Sequence, residues 1–287
     1  MKYSVLGLNG GGMRGALQIG ALQELSEQES EPFLHNLFPG GVYGISIGAL
    51  ISTFIAFEFS VPEFQEFVEF LGNIQEAFHP LRLQSILGLT QTKGLDDGSK
   101  IYDLLKKAFS VRNMNFDTVR IGDAAIPLRI IASDLTDLKP VIFGPSIRVW
   151  DALRSSFSLP YIFTPHEFEG HLYVDGAVLC QNIMNAIPVD LRSQTLLLMT
   201  SNGREINATN YLSRVPFCRT IKETYDIHRK YPQNTCLLVE SESSMFSLYE
   251  STKIIQHLLL VGRSAYREFR AERLCEELTE NGDSGGA

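Results

Sequence analysis

The sequence predicts an α/β fold in which helices cover both faces of a central, mostly parallel sheet, giving a three-layer sandwich. Short apolar runs alternate with amphipathic stretches along the chain, and two glycine-rich turns each join an apolar run to a helical pattern. Of the 287 residues, 44% are hydrophobic, so the chain can bury one sizeable core. Because the sequence has no repeat or long linker, we expect a single domain over residues 1–280 and a disordered tail over 281–287.

The individual elements follow from the apolar pattern. Strands are short apolar runs bounded by turn residues, whereas helices have apolar residues three or four positions apart. Strands are predicted at 3–8, 41–45, 127–133, 139–143, 172–175, 194–200 and 235–240. Helices are predicted at 13–28, 47–59, 62–78, 99–109, 149–157, 214–230 and 246–278. In a parallel sheet this order places both glycine-rich turns at the carboxyl ends of strands, where ligands bind in such folds.

The second glycine-rich turn has the sequence GISIG at residues 44–48 and lies between a predicted strand and a predicted helix. Glycines two positions either side of Ser46 let neighbouring chain pack against a sharp strand-to-helix turn. The Ser46 hydroxyl would then stand at a helix N-terminus, where N–H groups and the helix dipole favour a developing oxyanion. The pattern predicts a nucleophile at Ser46, although the same glycine spacing also serves purely structural turns.

The first glycine-rich turn, NGGG at residues 9–12, joins the first predicted strand to the first predicted helix. Successive N–H groups of Gly10, Gly11 and Gly12 at a helix start would form an anion-binding nest. Such a nest suits either a phosphate or the oxyanion of an acyl-transfer intermediate. The structural alternative is that the glycines only allow the strand and the helix to pack closely.

Two phosphate-binding patterns match this turn in part. Gly10, Gly12 and Gly15 satisfy G-x-G-x-x-G, but the second predicted strand does not end in the acidic residue that holds a ribose. A P-loop needs Lys followed by Ser or Thr where this chain has Met13 and Arg14. The sequence therefore favours an oxyanion at the nest.

A third segment, HLYVDGAV at residues 171–178, indicates a short strand that ends at Asp175 and turns at Gly176. A serine hydroxyl is not ionised at neutral pH, so a nucleophilic Ser46 needs a partner that accepts its proton. A carboxylate can do so when burial raises its basicity. Asp175 is the candidate base, although aspartate beside glycine is also common in turns that have no other role.

The three motifs occur in the order NGGGMRG at 9–15, GISIG at 44–48 and DGA at 175–177. In this order the sequence resembles the patatin-like phospholipases, a family of serine acyl hydrolases that use a Ser–Asp dyad without histidine. Two more stretches are similar to the family: ASDL and PVIF within 132–143, and ALRSSFSLPYIFTP at 152–165. The resemblance therefore covers most of the chain up to residue 190.

The resemblance implies a lipid acyl hydrolase of the phospholipase A type, with a patatin-like fold and no cofactor or metal. It implies Ser46 as the nucleophile, Asp175 as the general base, and the backbone N–H groups of residues 10–12 as the oxyanion hole. Arg14 corresponds to a residue that stabilises the loop, whereas Asn9 stands where the family often has aspartate. The other motif positions are Gly15, Gly44, Gly48, Gly176 and Ala177. The segment VLCQNIMNAIP after DGA is longer than the usual family ending.

Composition limits the partners and the compartment. The net charge of −8 argues against nucleic acid and gives no attraction to an anionic membrane surface. The longest apolar stretch, 42–57, is shorter than the roughly 20 residues of a membrane span, and no targeting segment is evident. The four cysteines lack metal-ligand spacing and indicate free thiols in a reducing compartment. We expect a soluble cytoplasmic or otherwise intracellular protein that contacts membranes transiently to reach its lipid substrate.

Residues 60–98 are the least constrained part of the sequence. A phenylalanine-rich helix is predicted at 62–78, and LRLQSILGL follows at 81–89. Core packing explains these apolar residues, and the alternative is a mobile cap whose apolar face admits an acyl chain. Under the cap hypothesis, deleting Ile86, Leu87 and Leu89 or replacing them with charged residues impairs activity on vesicles more than activity on a soluble ester.

Two other functions remain open. A histidine-dependent hydrolase needs a late histidine in a loop, but only His228 and His257 follow Asp175, and both lie in predicted helices. Alternatively, the chain is a non-catalytic module that binds a lipid or a nucleotide through the loop at residues 10–15. Labelling of Ser46 by a fluorophosphonate distinguishes an enzyme from such a module.

Overall fold

The computed structural model describes residues 3–72, 93–180, 182–201, 203, 211–240 and 252–283. Strands within these residues fall close to the apolar runs of the sequence. They are β1 (Val5–Leu8), β2 (Gly41–Ile45), β3 (Gly94–Asp96), β4 (Leu128–Asp134), β5 (Lys139–Phe143), β6 (Tyr161–Phe163), β7 (His166–Phe168), β8 (His171–Asp175), β9 (Thr195–Ser201) and β10 (Thr235–Val239). The seven predicted strands are present with each boundary within two residues, and β3, β6 and β7 are short strands that the sequence does not predict.

The helices of the described residues connect and cover these strands. They are α1 (Gly15–Glu29), α2 (Ile47–Ala56), α3 (Val61–Gly72), α4 (Ser99–Val111), α5 (Val149–Ser156), α6 (Tyr211–Lys230) and α7 (Thr252–Asp283). Helix α2 ends three residues before its predicted boundary, and Glu58 just beyond it has a left-handed φ of 63°. Helix α7 continues through residues 281–283, which the sequence assigns to a disordered tail, and 284–287 lie outside the described residues.

The main sheet has eight strands in the spatial order β10-β9-β1-β2-β4-β8-β7, and β5 also pairs with β4. Strands β10, β9, β1, β2 and β4 are parallel, whereas β5, β8 and β7 pair in the antiparallel direction. The sheet is therefore mixed but mostly parallel, which confirms the predicted fold class. The short strands β3 and β6 form a separate two-stranded sheet.

Alternate residues of the central strands point to opposite faces of this sheet. On β1, Leu6 and Leu8 belong to one core with the inner faces of α1, α2 and α7. Val5 on the same strand belongs to a second core, which includes Ile183 and Ile227. Apolar residues on both faces explain why the central strands appear in the sequence as continuous apolar runs. Three layers result, with the sheet in the middle.

The pairing of β4 brings two distant chain segments end to end. Ile45 at the end of β2 lies opposite Ile131, and Asp175 at the end of β8 lies opposite Ala132, the next residue of β4. Strand β5 pairs with residues 130–134 from the other edge, so β2 and β8 share one edge of β4. Because β2 is parallel to β4 and β8 is antiparallel to it, their carboxyl ends meet.

The last helix packs closely against the first. A Cβ at Gly20 would lie 2.0 Å from the carbonyl oxygen of Leu259, and a Cβ at Gly262 would lie 2.0 Å from that of Leu17. Only glycine lets the two backbones approach this closely. Buried Glu24 of α1 accepts hydrogen bonds from Arg267 of α7 at 3.0 and 2.8 Å. Helix α7 is thus an integral part of the described fold.

Two sequence-based expectations concern membranes. Within the described ranges, no helix combines the length and the apolar character needed to cross a bilayer. The cap proposed for 60–98 depends on 81–89, which lie outside the described residues together with the last part of the predicted helix 62–78. That hypothesis stays a prediction.

Candidate active site

Ser46 occupies a strained turn between β2 and α2. Its backbone has φ 56° and ψ −123°, a conformation that residues other than glycine rarely adopt. The Ser46 carbonyl accepts hydrogen bonds from the N–H groups of Ala49 and Leu50, which begin the helix. The Ser46 N–H donates to Ser156 Oγ at 2.8 Å. Strand, turn and helix thus fix the position of the Ser46 side chain.

Gly44 and Gly48 make this turn possible because each lies against backbone. A Cβ at Gly44 would approach Ala49 Cα to 2.4 Å, so the incoming strand touches the start of the helix. A Cβ at Gly48 would lie 2.4 Å from the carbonyl oxygen of Leu8 and 2.6 Å from that of Asn9. Gly48 therefore packs α2 directly on the end of β1, where the first glycine-rich turn begins.

Asp175 is buried at the end of β8, with 2% of its surface exposed. Its carboxylate accepts a hydrogen bond from the Ala177 N–H at 2.9 Å, and the Ser46 side chain lies near enough to act as a second donor. Burial raises the pKa of Asp175 to about 6, and the two donors oppose part of that rise. The structure thus brings the two residues of the predicted dyad next to each other.

The turn after Asp175 is held by groups from other elements. The Asp175 N–H donates to the Ser158 carbonyl at 2.9 Å. The hydroxyl of Ser133 on β4 donates to the Gly176 carbonyl at 3.2 Å and accepts from the Leu179 N–H at 3.0 Å. Gly176 packs on β4 so closely that a Cβ would lie 2.4 Å from the Ile131 carbonyl oxygen. The DGA turn is therefore fixed on both sides.

The glycine loop runs beside Ser46. A Cβ at Gly10 would lie 3.2 Å from Ser46 Cβ, which leaves little room between the loop backbone and the serine. Gly12 has a left-handed φ of 58°, so this position favours glycine. A Cβ at Gly15 would lie 2.3 Å from a side-chain carbon of Ile47, the residue after Ser46. The glycine loop and the serine turn are therefore packed directly against each other.

Asn9 stands where patatin-like sequences often have aspartate, and its side-chain amide pairs with the backbone of Thr200. Its Nδ2 donates to the Thr200 carbonyl at 3.0 Å, and its Oδ1 accepts from the Thr200 N–H at 2.8 Å. Gln18 donates to the Asn9 carbonyl at 3.0 Å. An amide can donate and accept, whereas a carboxylate can only accept, so asparagine suits this pairing between the end of β1 and the end of β9. Arg14, at the end of the same loop, is buried with 2% exposure.

Sequence reasoning missed two residues of α5 that support the site. Ser156 accepts from the Ser46 N–H and donates to the Ile131 carbonyl at 2.7 Å. Arg154 is buried and donates to the Asp97 carbonyl at 3.0 Å and to the Thr164 carbonyl at 2.7 Å. Both lie in the ALRSSFSLP stretch. The polar residues in this predicted helix were the sequence signal that could have indicated specific buried partners. Buried polar residues in a helix generally have specific partners.

The two late histidines lie away from this site. His228 Nδ1 is 3.3 Å from the carbonyl oxygen of Thr235, the first residue of β10. Strands β10, β9, β1 and β2 run parallel, so they all begin at one end of the sheet and finish at the other. Thr235 begins β10, whereas Ser46 follows the end of β2, so His228 lies at the far end of the sheet from Ser46. His257 is an exposed residue of α7. Both residues lie in helices, as the sequence predicts.

One group of potential metal ligands occurs within the described residues. It consists of Asp134, Asp137 and His171, whose ligand atoms lie within 4.8 Å of one another. The Asp134 carboxylate already accepts from the Thr136 N–H at 2.8 Å and pairs with His171 Nδ1 at 2.8 Å. Asp137 forms an ion pair with Lys139. These contacts account for all three side chains, so we assign no metal to them.

Sequence comparisons identify relatives of this chain. An uncharacterized protein of Acanthamoeba polyphaga mimivirus is 25% identical over 219 residues, which cover 74% of this chain and 70% of that protein. An uncharacterized NTE family protein of Mycobacterium tuberculosis is 28% identical over 209 residues, which cover 70% of this chain and 49% of that protein. The chain therefore spans about half the length of the mycobacterial relative.

Two solved structures share the fold. VipD from Legionella pneumophila superimposes with a TM-score of 0.60 at 12% identity, covering 95% of this chain and 67% of that one. The type III effector ExoU superimposes with a TM-score of 0.52 at 15% identity, covering 95% of this chain and 53% of that one. The family model of the patatin-like phospholipases matches residues 6–191, which supports lipid hydrolase activity in general. This chain therefore belongs to the patatin-like phospholipase family.

Proposed function

We propose that this protein is a lipid acyl hydrolase of the phospholipase A type that works through an acyl-enzyme at Ser46, with Asp175 as the general base. The observation that carries the proposal is that the Ser46 side chain lies beside the buried Asp175 carboxylate, near enough to act as a hydrogen-bond donor. A base must lie within hydrogen-bond reach of the proton that it removes, and Asp175 meets that requirement.

The reaction follows from these positions. Asp175 accepts the proton of the Ser46 hydroxyl while Oγ attacks the ester carbonyl carbon of a fatty-acyl chain. The tetrahedral oxyanion is stabilised by N–H groups of residues 10–12, whose backbone lies beside Ser46. Collapse breaks the ester bond, and Asp175 returns the proton to the departing alcohol. Water then attacks the acyl-enzyme by the same route and releases the fatty acid.

Two features support these roles. A pKa of about 6 leaves Asp175 ionised near neutral pH and more basic than an ordinary aspartate, as a general base requires. The Ser46 N–H is already bonded to Ser156, so it is not a donor to an oxyanion bound at Ser46. The glycine loop contacts the serine turn, which supports its N–H groups as donors to the oxyanion.

The setting of the reaction belongs to the same proposal. We expect a peripheral enzyme that reaches its substrate at a membrane surface inside the cell. The four cysteines support a reducing compartment because Cys180, Cys218, Cys236 and Cys275 are all free thiols. The alternative of a non-catalytic lipid- or nucleotide-binding module at residues 10–15 does not require a base beside Ser46.

The test measures fatty-acid release from phospholipid vesicles and covalent labelling by a fluorophosphonate. Ser46→Ala and Asp175→Asn should each reduce turnover by at least the order of 10²–10³, and Ser46→Ala should abolish labelling. His228→Ala and His257→Ala are the controls and should retain full activity. Below about pH 6 the rate should fall about tenfold per pH unit as Asp175 becomes protonated. Wild-type protein that neither labels nor releases fatty acid would support the binding module instead, and loss of turnover in a chelator would contradict the dyad.

A further inference from the structure

We infer that Ser156 is a positioning residue for the nucleophile: its hydroxyl bridges the Ser46 N–H and the Ile131 carbonyl, and this bridge sets Ser46 against Asp175. The inference rests on the proposed function, because it assigns Ser156 a part in the Ser46 reaction. It adds a residue that belongs to neither the serine turn nor the aspartate turn.

The bridge consists of two well-formed hydrogen bonds. The Ser46 N–H donates to Ser156 Oγ at 2.8 Å, and the Ser156 hydroxyl donates to the Ile131 carbonyl at 2.7 Å. Ser156 is fully buried, so water cannot easily replace its hydroxyl. A single side chain thus satisfies one backbone donor and one backbone acceptor that come from different elements.

The bridge acts on a strained residue. Ser46 has a φ of 56°, so its N–H does not take part in the regular pattern of β2 or of α2. A backbone in such a conformation persists only where its surroundings hold it. Without the Ser156 oxygen, the Ser46 N–H and the Ile131 carbonyl would both lose a partner, and the turn could relax toward an ordinary conformation.

Ile131 is the point at which the two halves of the site meet. It pairs with Ile45, the residue before Ser46, and its neighbour Ala132 pairs with Asp175. Gly176, which follows Asp175, packs on the Ile131 carbonyl. A bond from Ser156 to this carbonyl therefore ties the serine turn to the same strand position that holds the aspartate turn.

The chain supplies a matched control in Ser155. This neighbour lies in the same helix and is also fully buried. Among the described residues its hydroxyl donates to the Asp151 carbonyl within α5 at 2.7 Å, and that bond does not reach Ser46. Ser155→Ala and Ser156→Ala delete the same atom from equally buried sites, so their difference isolates the bridge.

The experiment compares these two variants with wild type on a soluble ester and on a fluorophosphonate. We expect Ser156→Ala to reduce kcat and the rate of labelling by about 10–100-fold with KM nearly unchanged, because a small displacement of a nucleophile costs rate more than binding. Ser155→Ala should stay within about twofold of wild type in each measurement. Hydrogen exchange of the Ser46 amide should become faster in Ser156→Ala alone.

The outcomes separate the two proposals. Wild-type protein that does not label contradicts the proposed function, whereas labelled wild type with equal kcat loss in both variants overturns the role of Ser156. If Ser156→Ala does not fold, Ser156→Cys keeps the shape of the side chain but replaces oxygen with sulfur, a larger atom and a weak acceptor. The cysteine variant should then show the loss in kcat, and a cysteine variant with the wild-type kcat would also overturn the inference.

Discussion

The two sides of the candidate site are built in different ways. Ser46 stands on a turn that depends mainly on glycines of its own motif, because Gly44 lets β2 touch the start of α2 and Gly48 lets α2 touch the end of β1; Ser156 adds one distant hydrogen bond. Asp175 lies on a turn that depends on residues distant in the chain, such as Ser133 and Ser158. The comparison shows that a short motif can supply most of what a turn needs, whereas burial of a base needs the assembled fold.

Arg154 is the centre of the support on the aspartate side. Its guanidinium donates to the Ser158 hydroxyl and to carbonyl groups of Asp97 and Thr164, and the Ser158 carbonyl in turn accepts from the Asp175 N–H. Burial lowers the pKa of Arg154 to about 10, while Asp96 and Asp97 oppose that change. Arg154 therefore remains charged at neutral pH. It links the segments that contain Asp97, Ser158 and Thr164.

The largest predicted effect is on this support. Arg154→Met should lower the free energy of unfolding by about 3–5 kcal/mol, because buried Ser158 and the part-buried carbonyls of Asp97 and Thr164 lose a charged donor at a cost of about 1–3 kcal/mol each. The measurement is urea unfolding at pH 7. Arg219→Met is the control: Arg219 is an exposed residue of α6 that pairs with Glu223, and the change should cost less than about 1 kcal/mol. Equal effects for the two variants would show that Arg154 is not a support of the aspartate side.

The sequence predicts the fold well because the fold depends on local patterns. The apolar runs of β1, β2 and β9 and the glycines between strand and helix are signals that short windows contain. The strands β6 and β7 are three residues long and lack such a pattern, so their position depends on the elements around them. The role of Ser156 likewise depends on a contact between residues 110 positions apart.

The second prediction concerns the free-energy cost of burying Asp175. The pKa is about 6 in the folded protein and ordinarily 3.8, so the folded state holds this proton more tightly than the unfolded chain does. The carboxyl therefore contributes no penalty below about pH 4, a growing penalty between pH 4 and 6, and a constant penalty above. Asp175→Asn should remove that penalty and stabilise the protein by on the order of 2–3 kcal/mol at pH 8.

The measurement is the difference in unfolding free energy between wild type and Asp175→Asn at pH 4, 5, 6 and 8. A buried aspartate with the opposite shift provides the control. Burial raises the pKa of Asp134, but hydrogen bonds from Asp137, Thr136 and His171 outweigh this and hold the pKa below its ordinary value. Asp134→Asn should instead destabilise the protein by a nearly constant amount between pH 5 and 8, because the pH dependence of a lowered pKa lies at and below about pH 4. A stabilisation by Asp175→Asn that did not depend on pH would contradict the assigned pKa.

The dyad itself was open to prediction only in part. The residue types, their order and the turns of Ser46 and Asp175 follow from the sequence and from the family resemblance. Their proximity does not follow, because it depends on how β2 and β8 pair with β4. Ile45 lies opposite Ile131, and Asp175 lies opposite Ala132 on the same side of β4. No window of the sequence contains that register, and the catalytic roles stay a prediction until activity is measured.

The smallest predicted effect belongs to the serine side and concerns Gly48. In Gly48→Ala the new Cβ would lie within 2.6 Å of two carbonyl oxygens, and these are backbone atoms that cannot turn aside. The helix must shift away from β1, which should cost about 1–3 kcal/mol in thermal unfolding and also weaken labelling of Ser46. Gly144→Ala is the matched control, because nothing lies within 4 Å of its Cβ position. It should change the free energy of unfolding by less than about 1 kcal/mol. Equal stability of the two alanine variants would contradict the view that close backbone packing shapes the serine turn.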